Sequence, residues 1–254
     1  MTGALGEIRL WAVARIPNNW MLCNGQLLPI NTNLDLFELM GNTYGGNGST
    51  NFSLPNLPGP ASTPGVQYII CTNGPWPLEG AMDGMFAEIR LWPNAVVPDG
   101  WAACSGELLS IRFNQALYSI LGTTYGGDGI NSFGLPQLAP QGTVRYIISL
   151  GGVYPRESDD DDSTPVDSYV SEIRLWAGGF EPAGFALLNQ TRSYRINIAS
   201  TQTQTAELLY SLLGNNYGGT FPVFQLPQLD PLAGTLGSTV SYMMAITGAY
   251  PDFP

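Results

Sequence analysis

The pentapeptide EIRLW decides the fold of this chain, and it occurs three times, at residues 7–11, 88–92 and 172–176. Within each copy the apolar Ile and Leu alternate with Glu, Arg and Trp, which is the period of a half-buried β-strand. The copies begin 81 and then 84 residues apart. Because a fixed period across a chain is the signature of an internal repeat, the sequence predicts three related units.

The same motifs follow each EIRLW in the same order. They are a Pro-x-x-aromatic motif (17–20, 98–101, 182–185), an apolar cluster that ends in Gly (36–41, 117–122, 209–214), a YGG loop (44–46, 125–127, 217–219), an F-x-L-P segment (52–55, 133–136, 224–227) and a Tyr followed by two apolar residues (68–70, 146–148, 242–244). The apolar clusters have helical spacing, and the closing segments are typical of strands. Each unit is therefore predicted to be a small domain of strands and loops with one short helix.

These motifs divide the chain into repeat 1 (residues 1–80), repeat 2 (81–156) and repeat 3 (168–254). Repeat 3 is longer between its Glu and its YGG loop, which predicts an insertion near 189–205. The acidic run ESDDDDSTPVD at 157–167 joins repeats 2 and 3. As a calcium loop starting at Asp159 it has Thr164 in place of the required Gly and Val170 in place of the required Glu. A solvated, charge-extended linker is the better interpretation, with adventitious cation binding as the alternative.

Composition excludes several classes of function. The formal charge is −11, and all nine basic residues are Arg, since the chain has neither Lys nor His. This balance opposes binding to nucleic acid and to anionic lipid, and no apolar run is long enough for membrane insertion. The N-terminal residues lack the pattern of an export signal, so we expect a soluble protein. Three Cys without His predict neither a disulfide framework nor a metal site, and no cofactor is expected.

The combined motif order resembles a known family. EIRLW, P-x-x-W, C-x-G-x-L-L, LF-x-L-x-G, YGG-x-G and F-x-L-P-x-L together resemble the phage tail collar domain, which is also found in proteins of the microcystin-dependent group. The resemblance implies an α+β, strand- and loop-rich fold with three tandem collar-like repeats. Because such domains assemble around threefold axes, it also implies that the repeats close into a pseudo-threefold trimer within one chain.

Repeat 3 departs from this pattern at two positions. Leu188 replaces Cys23 and Cys104 of the first two repeats, and Gln190 replaces a Gly. Exchange of a thiol for an apolar side chain predicts a packed interior position rather than a nucleophile. Cys71 lies outside this register, and the chain has no His to activate it.

The charged residues of the EIRLW copies are candidates for orienting the repeats against one another. They are Glu7, Arg9, Glu88, Arg90, Glu172 and Arg174. Each Glu and Arg share a strand face, which favours a salt bridge, and contact with a partner or catalysis are the alternatives. Exposed pairs of this kind contribute only about 0–1 kcal/mol to stability.

The aromatic, Pro-rich ends of the repeats are candidates for contact with a partner or receptor. The residues are Trp76, Tyr154, Tyr250 and Phe253. Rigid aromatic side chains on short loops form contact surfaces at low entropic cost. Packing in the core or between repeats is the alternative interpretation.

The resemblance implies a non-enzymatic structural or adhesive component of a phage tail tip or tail fibre. Without His or Lys, acid–base roles fall to carboxylates or Tyr, no second catalytic motif accompanies them, and only a carboxylate pair of the glycosidase type stays open. Expected partners are other tail or baseplate proteins and a host-surface glycan or protein. The expected location is the tail tip of the virion, after assembly in the host cytoplasm. A free lectin-like module and the tip of a phage-related contractile injection system are the alternatives.

Overall fold

The computed structural model describes residues 3–60, 65–77, 84–155, 168–196, 204–233 and 239–253. The predicted linker at 157–167 lies outside the described residues, as does the middle of the predicted insertion, at 197–203.

Each repeat places its closing strand between its EIRLW strand and its Pro-x-x-aromatic strand. In repeat 1 these are β1 (Ile8–Trp11), β2 (Trp20–Leu22) and β5 (Gln67–Cys71), in repeat 2 they are β6 (Glu88–Trp92), β7 (Trp101–Ala103) and β10 (Arg145–Ser149), and in repeat 3 they are β11 (Glu172–Trp176), β12 (Phe185–Leu187) and β16 (Thr239–Ala245). The closing strand lies in the middle and pairs antiparallel with both of the others.

The three EIRLW strands also pair with one another, all antiparallel. Ile8 at the start of β1 pairs with Leu91 near the end of β6, while Trp11 at the end of β1 pairs with Glu172 at the start of β11. The start of β6 pairs in turn with the end of β11. Each strand therefore contacts both others, and the three form a closed triangle at the centre of a ten-stranded sheet.

A second, smaller substructure lies outside this sheet in each repeat. It is a two-stranded ribbon formed by β3 (Leu27–Pro29) with β4 (Asn51–Ser53), by β8 (Leu108–Ser110) with β9 (Ser132–Gly134), and by β13 (Ser193–Arg195) with β14 (Val223–Gln225). Between the two strands of each ribbon lies a helix: α1 (Leu34–Met40), α2 (Gln115–Leu121) or α3 (Gln204–Leu213). Short 3-10 helices, Ile30–Thr32 and Ile111–Phe113, precede α1 and α2, and β15 (Leu232–Ala233) pairs with β16. The described residues contain three α-helices among many strands, which confirms the prediction of a strand-rich α+β fold.

The prediction that EIRLW has only one buried face is wrong. Every residue of β1, β6 and β11 is buried, and the residues Glu7, Glu88 and Glu172 are 0% exposed. The error arises because alternation reports the chemical difference between two faces and not whether each is covered. At the centre of this sheet, segments from all three repeats cover both faces.

The structure agrees with the prediction that Cys23 and Cys104, which repeat 3 replaces by Leu188, are interior packing positions. Cys23 and Cys104 are buried and free, and Leu188 is buried at the corresponding position. Cys71 is also buried and free, and burial raises the pKa of its thiol to about 12. A thiol with so little thiolate at neutral pH is a poor nucleophile, which fits a packing role.

Candidate functional site

Six charged side chains from the three central strands form one closed ring of ion pairs. They are Glu7, Arg9, Glu88, Arg90, Glu172 and Arg174. Within each strand the Arg Nε donates to the Glu Oε1 two residues earlier, at 2.6, 2.6 and 2.7 Å in repeats 1, 2 and 3. Strand geometry places these two side chains on the same face, so each pair is local.

The remaining ion pairs of the ring connect the repeats. Nη1 of Arg90 lies 2.9 Å from Oε1 of Glu7. Nη1 of Arg174 lies 3.1 Å from Oε2 of Glu88, and Nη1 of Arg9 lies 2.9 Å from Oε1 of Glu172. Each guanidinium therefore joins two carboxylates, and the six formal charges sum to zero.

Backbone and aromatic groups complete the surroundings of the ring. In each repeat the Glu Oε2 also accepts a hydrogen bond from a backbone N–H three residues earlier, at Ala4, Met85 and Tyr169. The aromatic residue of each Pro-x-x-aromatic motif stacks on the guanidinium of its own repeat, and the pairs are Arg9 with Trp20 at 5.1 Å, Arg90 with Trp101 at 4.9 Å and Arg174 with Phe185 at 5.7 Å. Such stacking of a cation on a ring is favourable. The recurrence of this motif in the sequence thus has a direct structural explanation.

Ion pairing within the ring favours the charged forms of Glu7, Arg9 and Glu88. Burial of the Glu88 carboxylate favours its neutral form, but Arg174 and Arg90 outweigh that effect and lower its pKa from 4.5 to about 2. The pKa of Glu7 is lowered in the same way, with Arg9 and Arg90 outweighing its burial. For Arg9, burial opposes the charge, but Glu172 and Glu7 raise its pKa. The pKa values of Glu7, Glu88 and Arg9 are thus shifted away from neutral pH, which fits a structural role of these residues rather than acid–base catalysis.

A second set of contacts between repeats uses the Tyr of each YGG loop. The hydroxyl of Tyr44 donates to the carbonyl of Pro93 at 2.6 Å, in repeat 2. The Tyr125 hydroxyl donates to Ala177 in repeat 3 at 2.9 Å, and the Tyr217 hydroxyl to the carbonyl of Ala12 in repeat 1 at 2.7 Å. In each case the acceptor directly follows the Trp of an EIRLW copy. Sequence reasoning missed these residues, although their recurrence before Gly-Gly was a visible signal.

The Tyr of each closing strand forms a third cluster, on the Ile and Leu face of the central strands. Tyr68, Tyr146 and Tyr242 are each almost fully buried. The side-chain amide of Gln141 donates to the hydroxyls of Tyr68 and Tyr146, at 3.1 and 2.7 Å. Burial raises the pKa of all three tyrosines. These hydroxyls therefore stay protonated at neutral pH.

The predicted contact aromatics lie on the surface at corresponding positions of the three repeats. Trp76 is 37% exposed, Tyr154 48% and Tyr250 46%, whereas Phe253 is half-buried under the guanidinium of Arg15 at 4.7 Å. The hydroxyls of Tyr154 and Tyr250 lie 2.8 and 3.3 Å from serine hydroxyls on α2 and α3. Among the described contacts, none joins these aromatics to the ion-pair ring.

Parts of the chain match a known protein family. Two segments match the Phage Tail Collar Domain. They are residues 6–61 and 87–141, and each collar segment runs from an EIRLW strand through the helix and the YGG loop to the F-x-L-P segment. No curated protein and no solved structure matches the chain.

The collar segments contain much of the site just described. They supply Glu7, Arg9, Glu88 and Arg90 of the ring and two of the three YGG tyrosines. A collar domain indicates a structural component of the phage tail, located in the virion and in contact with other tail components, and the family is structural rather than enzymatic.

Two further observations bear on the site. No helix in the described part of the chain combines the length and apolarity needed to cross a bilayer. Within the same ranges, no group of three or more Cys, Asp and Glu side chains is arranged to hold a metal ion.

Proposed function

We propose that this protein is a non-enzymatic component of a phage tail tip or tail fibre, built from three tandem collar-like repeats closed around a pseudo-threefold axis. The cyclic ion-pair ring is the observation that carries the proposal. Each repeat gives one Glu and one Arg to the ring, and each Arg reaches the Glu of a neighbouring repeat. Such a closed arrangement is what three protomers of a ring achieve, here within one chain.

Including repeat 3 as a collar-like unit is part of the proposal. It supplies β11, α3 and the β13–β14 ribbon in the same order as the corresponding elements of the matched segments. Glu172, Arg174 and Tyr217 take the third position in the two sets of contacts between repeats. We assign the ring residues the role of fixing the orientation of the three repeats.

A host-attachment role at the tail tip is supported by the exposed aromatics. Trp76, Tyr154 and Tyr250 occupy corresponding positions, so a threefold arrangement presents them as three similar contacts. Multiple similar contacts increase the strength of attachment to a surface that carries many copies of a receptor. Such a receptor, a host glycan or surface protein, is bound alongside neighbouring tail or baseplate proteins.

Immunogold electron microscopy of phage particles tests the location. With antibody against this chain, label is expected at the distal end of the tail, and particles from a deletion mutant serve as the control. Label absent from all particles would overturn the tail-tip assignment and favour a free glycan-binding module.

The attachment role is tested separately by adsorption of phage to host cells. A particle with the triple change Trp76→Ala, Tyr154→Ala and Tyr250→Ala is expected to adsorb more slowly while still assembling. Phe113→Ala, at an aromatic that is 81% exposed and outside the set, is the matched control. Equal adsorption by both variants would remove the aromatics from the attachment surface.

A further inference from the structure

Arg145 lies between two cavities and is a departure from the threefold pattern. The first cavity, of about 530 Å³, is formed by repeat 2 and includes Ser105, Gln137 and Thr143 in its wall. The second, of about 420 Å³, lies between the end of α1 in repeat 1 and Pro93–Ala95 in repeat 2. Thr143 and Arg145 belong to both walls.

The guanidinium of Arg145 has an unsatisfied hydrogen-bond donor. Its Nε is buried and has no hydrogen-bond partner, and in the described part of the chain Arg145 forms no ion pair. A buried donor without a partner costs about 1–3 kcal/mol, and more in a charged group. An anion that pairs with the other nitrogens of this guanidinium therefore supplies a charge partner that the described part of the chain does not.

The corresponding strand positions in the other repeats carry no charge. Arg145 pairs with Trp92 in the sheet, as Gln67 pairs with Trp11 and Ser241 with Trp176. The fold therefore does not need a cation at this position. In a chain with a formal charge of −11, a half-buried cation that the fold does not require points to an external anion.

We propose that the two cavities around Arg145 bind a sugar acid, whose carboxylate pairs with the guanidinium through its two Nη groups. Guanidinium and carboxylate match as two parallel hydrogen bonds, which gives both strength and orientation. The combined space accommodates a saccharide of one or two rings, and the Ser105 and Thr143 hydroxyls provide partners for sugar hydroxyls. This inference rests on the proposed host-attachment function and names the chemistry of the receptor as an acidic surface glycan.

Binding of glucuronate oligosaccharides to the full-length chain tests the inference, measured by calorimetry with the matching neutral glucose oligosaccharides as the reference. We expect binding of the acidic sugar alone. Arg145→Gln places in repeat 2 the residue that repeat 1 carries, so the variant is expected to fold with an unchanged melting temperature. Loss of a hydrogen-bonded charge pair corresponds to at least about a tenfold loss of affinity.

Arg195→Gln is the matched control, because it makes the same change in net charge at an exposed arginine on β13. It is expected to bind like the unmodified chain. Equal binding by the Arg145→Gln variant, no binding of the acidic sugar, or binding of poly-glutamate in its place would each overturn the sugar-acid assignment. Immunogold label on tails does not depend on sugar binding, so failure here leaves the tail-tip location to be judged by that separate experiment.

Discussion

At the scale of single residues, the ring concentrates three positive and three negative charges in a site closed to water. Removing a charge from water is costly, and an ion pair in the interior offsets that cost only when its geometry and hydrogen bonding are good. Here every carboxylate accepts hydrogen bonds from an Arg of its own strand and from a backbone N–H, and each ion-pairs with the Arg of another repeat. Because the ring is buried, loss of a single charged side chain from it is expected to lower the free energy of unfolding strongly.

Removing one charge from the ring is expected to destabilise the protein strongly. Glu88→Gln keeps the size of the side chain but leaves Arg90 and Arg174 with one carboxylate each, those of Glu7 and Glu172. The expected loss in free energy of unfolding is about 3–5 kcal/mol. The control is Glu181→Gln, because Glu181 pairs with Arg192 at 22% and 27% side-chain exposure, where about 1 kcal/mol or less is expected. Urea denaturation measures both variants. Equal losses would show that burial does not set the strength of the ring.

The lowered pKa values of Glu7 and Glu88 predict loss of stability in acid. Above pH 4.5 both carboxylates are ionised in the folded and unfolded chains, so their contribution is fully present. As the pH falls from 4.5 towards 2, the unfolded chain takes up protons first, and the free energy of unfolding decreases. Urea midpoints measured across this range should fall, and less steeply in Glu88→Gln. A variant as pH-dependent as the original chain would contradict this assignment.

At the scale of elements, the YGG loop connects the helix of each repeat to the second strand of its ribbon. The second Gly of the loop has a positive φ in all three repeats: 92° at Gly46, 95° at Gly127 and 87° at Gly219. A Cβ at Gly127 would lie 2.5 Å from the carbonyl oxygen of Ser132, and one at Gly46 would lie 2.5 Å from Cα of Phe52. The loop therefore packs directly on its own ribbon, and only Gly fits at this position.

Substitutions at the two adjacent glycines of the YGG loop distinguish the effect of this close approach from the effect of backbone strain. Gly126 and Gly127 both have positive φ, 108° and 95°, but a Cβ at Gly126 would meet no atom within 4 Å. Ala at either position carries the strain of positive φ, about 1–3 kcal/mol. We expect Gly127→Ala to lose more stability than Gly126→Ala, by thermal denaturation of each. Equal melting temperatures would mean that the loop moves away from the ribbon without cost.

At the scale of the whole molecule, no repeat completes its own pairing. The ends of β6 pair with β1 and β11, and Glu88 and Arg90 find their second partners in repeats 3 and 1. A repeat on its own would therefore expose strand edges and leave buried charges half-paired. Because the three repeats belong to one covalent chain, corresponding positions can carry different residues, as Arg145 differs from Gln67 and Ser241.

Repeat 2 alone is expected not to be a folded monomer. A peptide of residues 84–155 keeps both the Arg and the Glu that form the ion pairs between repeats. Arg90 of one peptide therefore has the geometry to reach Glu88 of a second peptide. Sedimentation with circular dichroism is expected to give either a folded trimer or an unfolded monomer. A folded monomer would contradict the dependence of one repeat on the others.

Local patterns in the sequence were sufficient for much of the fold. The period of EIRLW, the spacing of the apolar clusters and the recurrence of Gly and Pro predict the strands, the three helices and the order of the motifs, because neighbouring residues determine these features. The exchange of Cys23 and Cys104 for Leu188 predicts an interior position for the same reason: it compares side chains in equivalent surroundings.

What surrounds each element was decided only by the tertiary structure. Burial of the Glu and Arg side chains, the hydrogen bonds from the YGG tyrosines and the position of Arg145 between two cavities all depend on residues from different repeats. The sequence by itself determined which elements form and that they recur three times. Closure of the three EIRLW strands into a triangle turned charged pairs that look exposed into the buried centre of the molecule, because strands that begin 81, 84 and 165 residues apart in the chain pair with one another there.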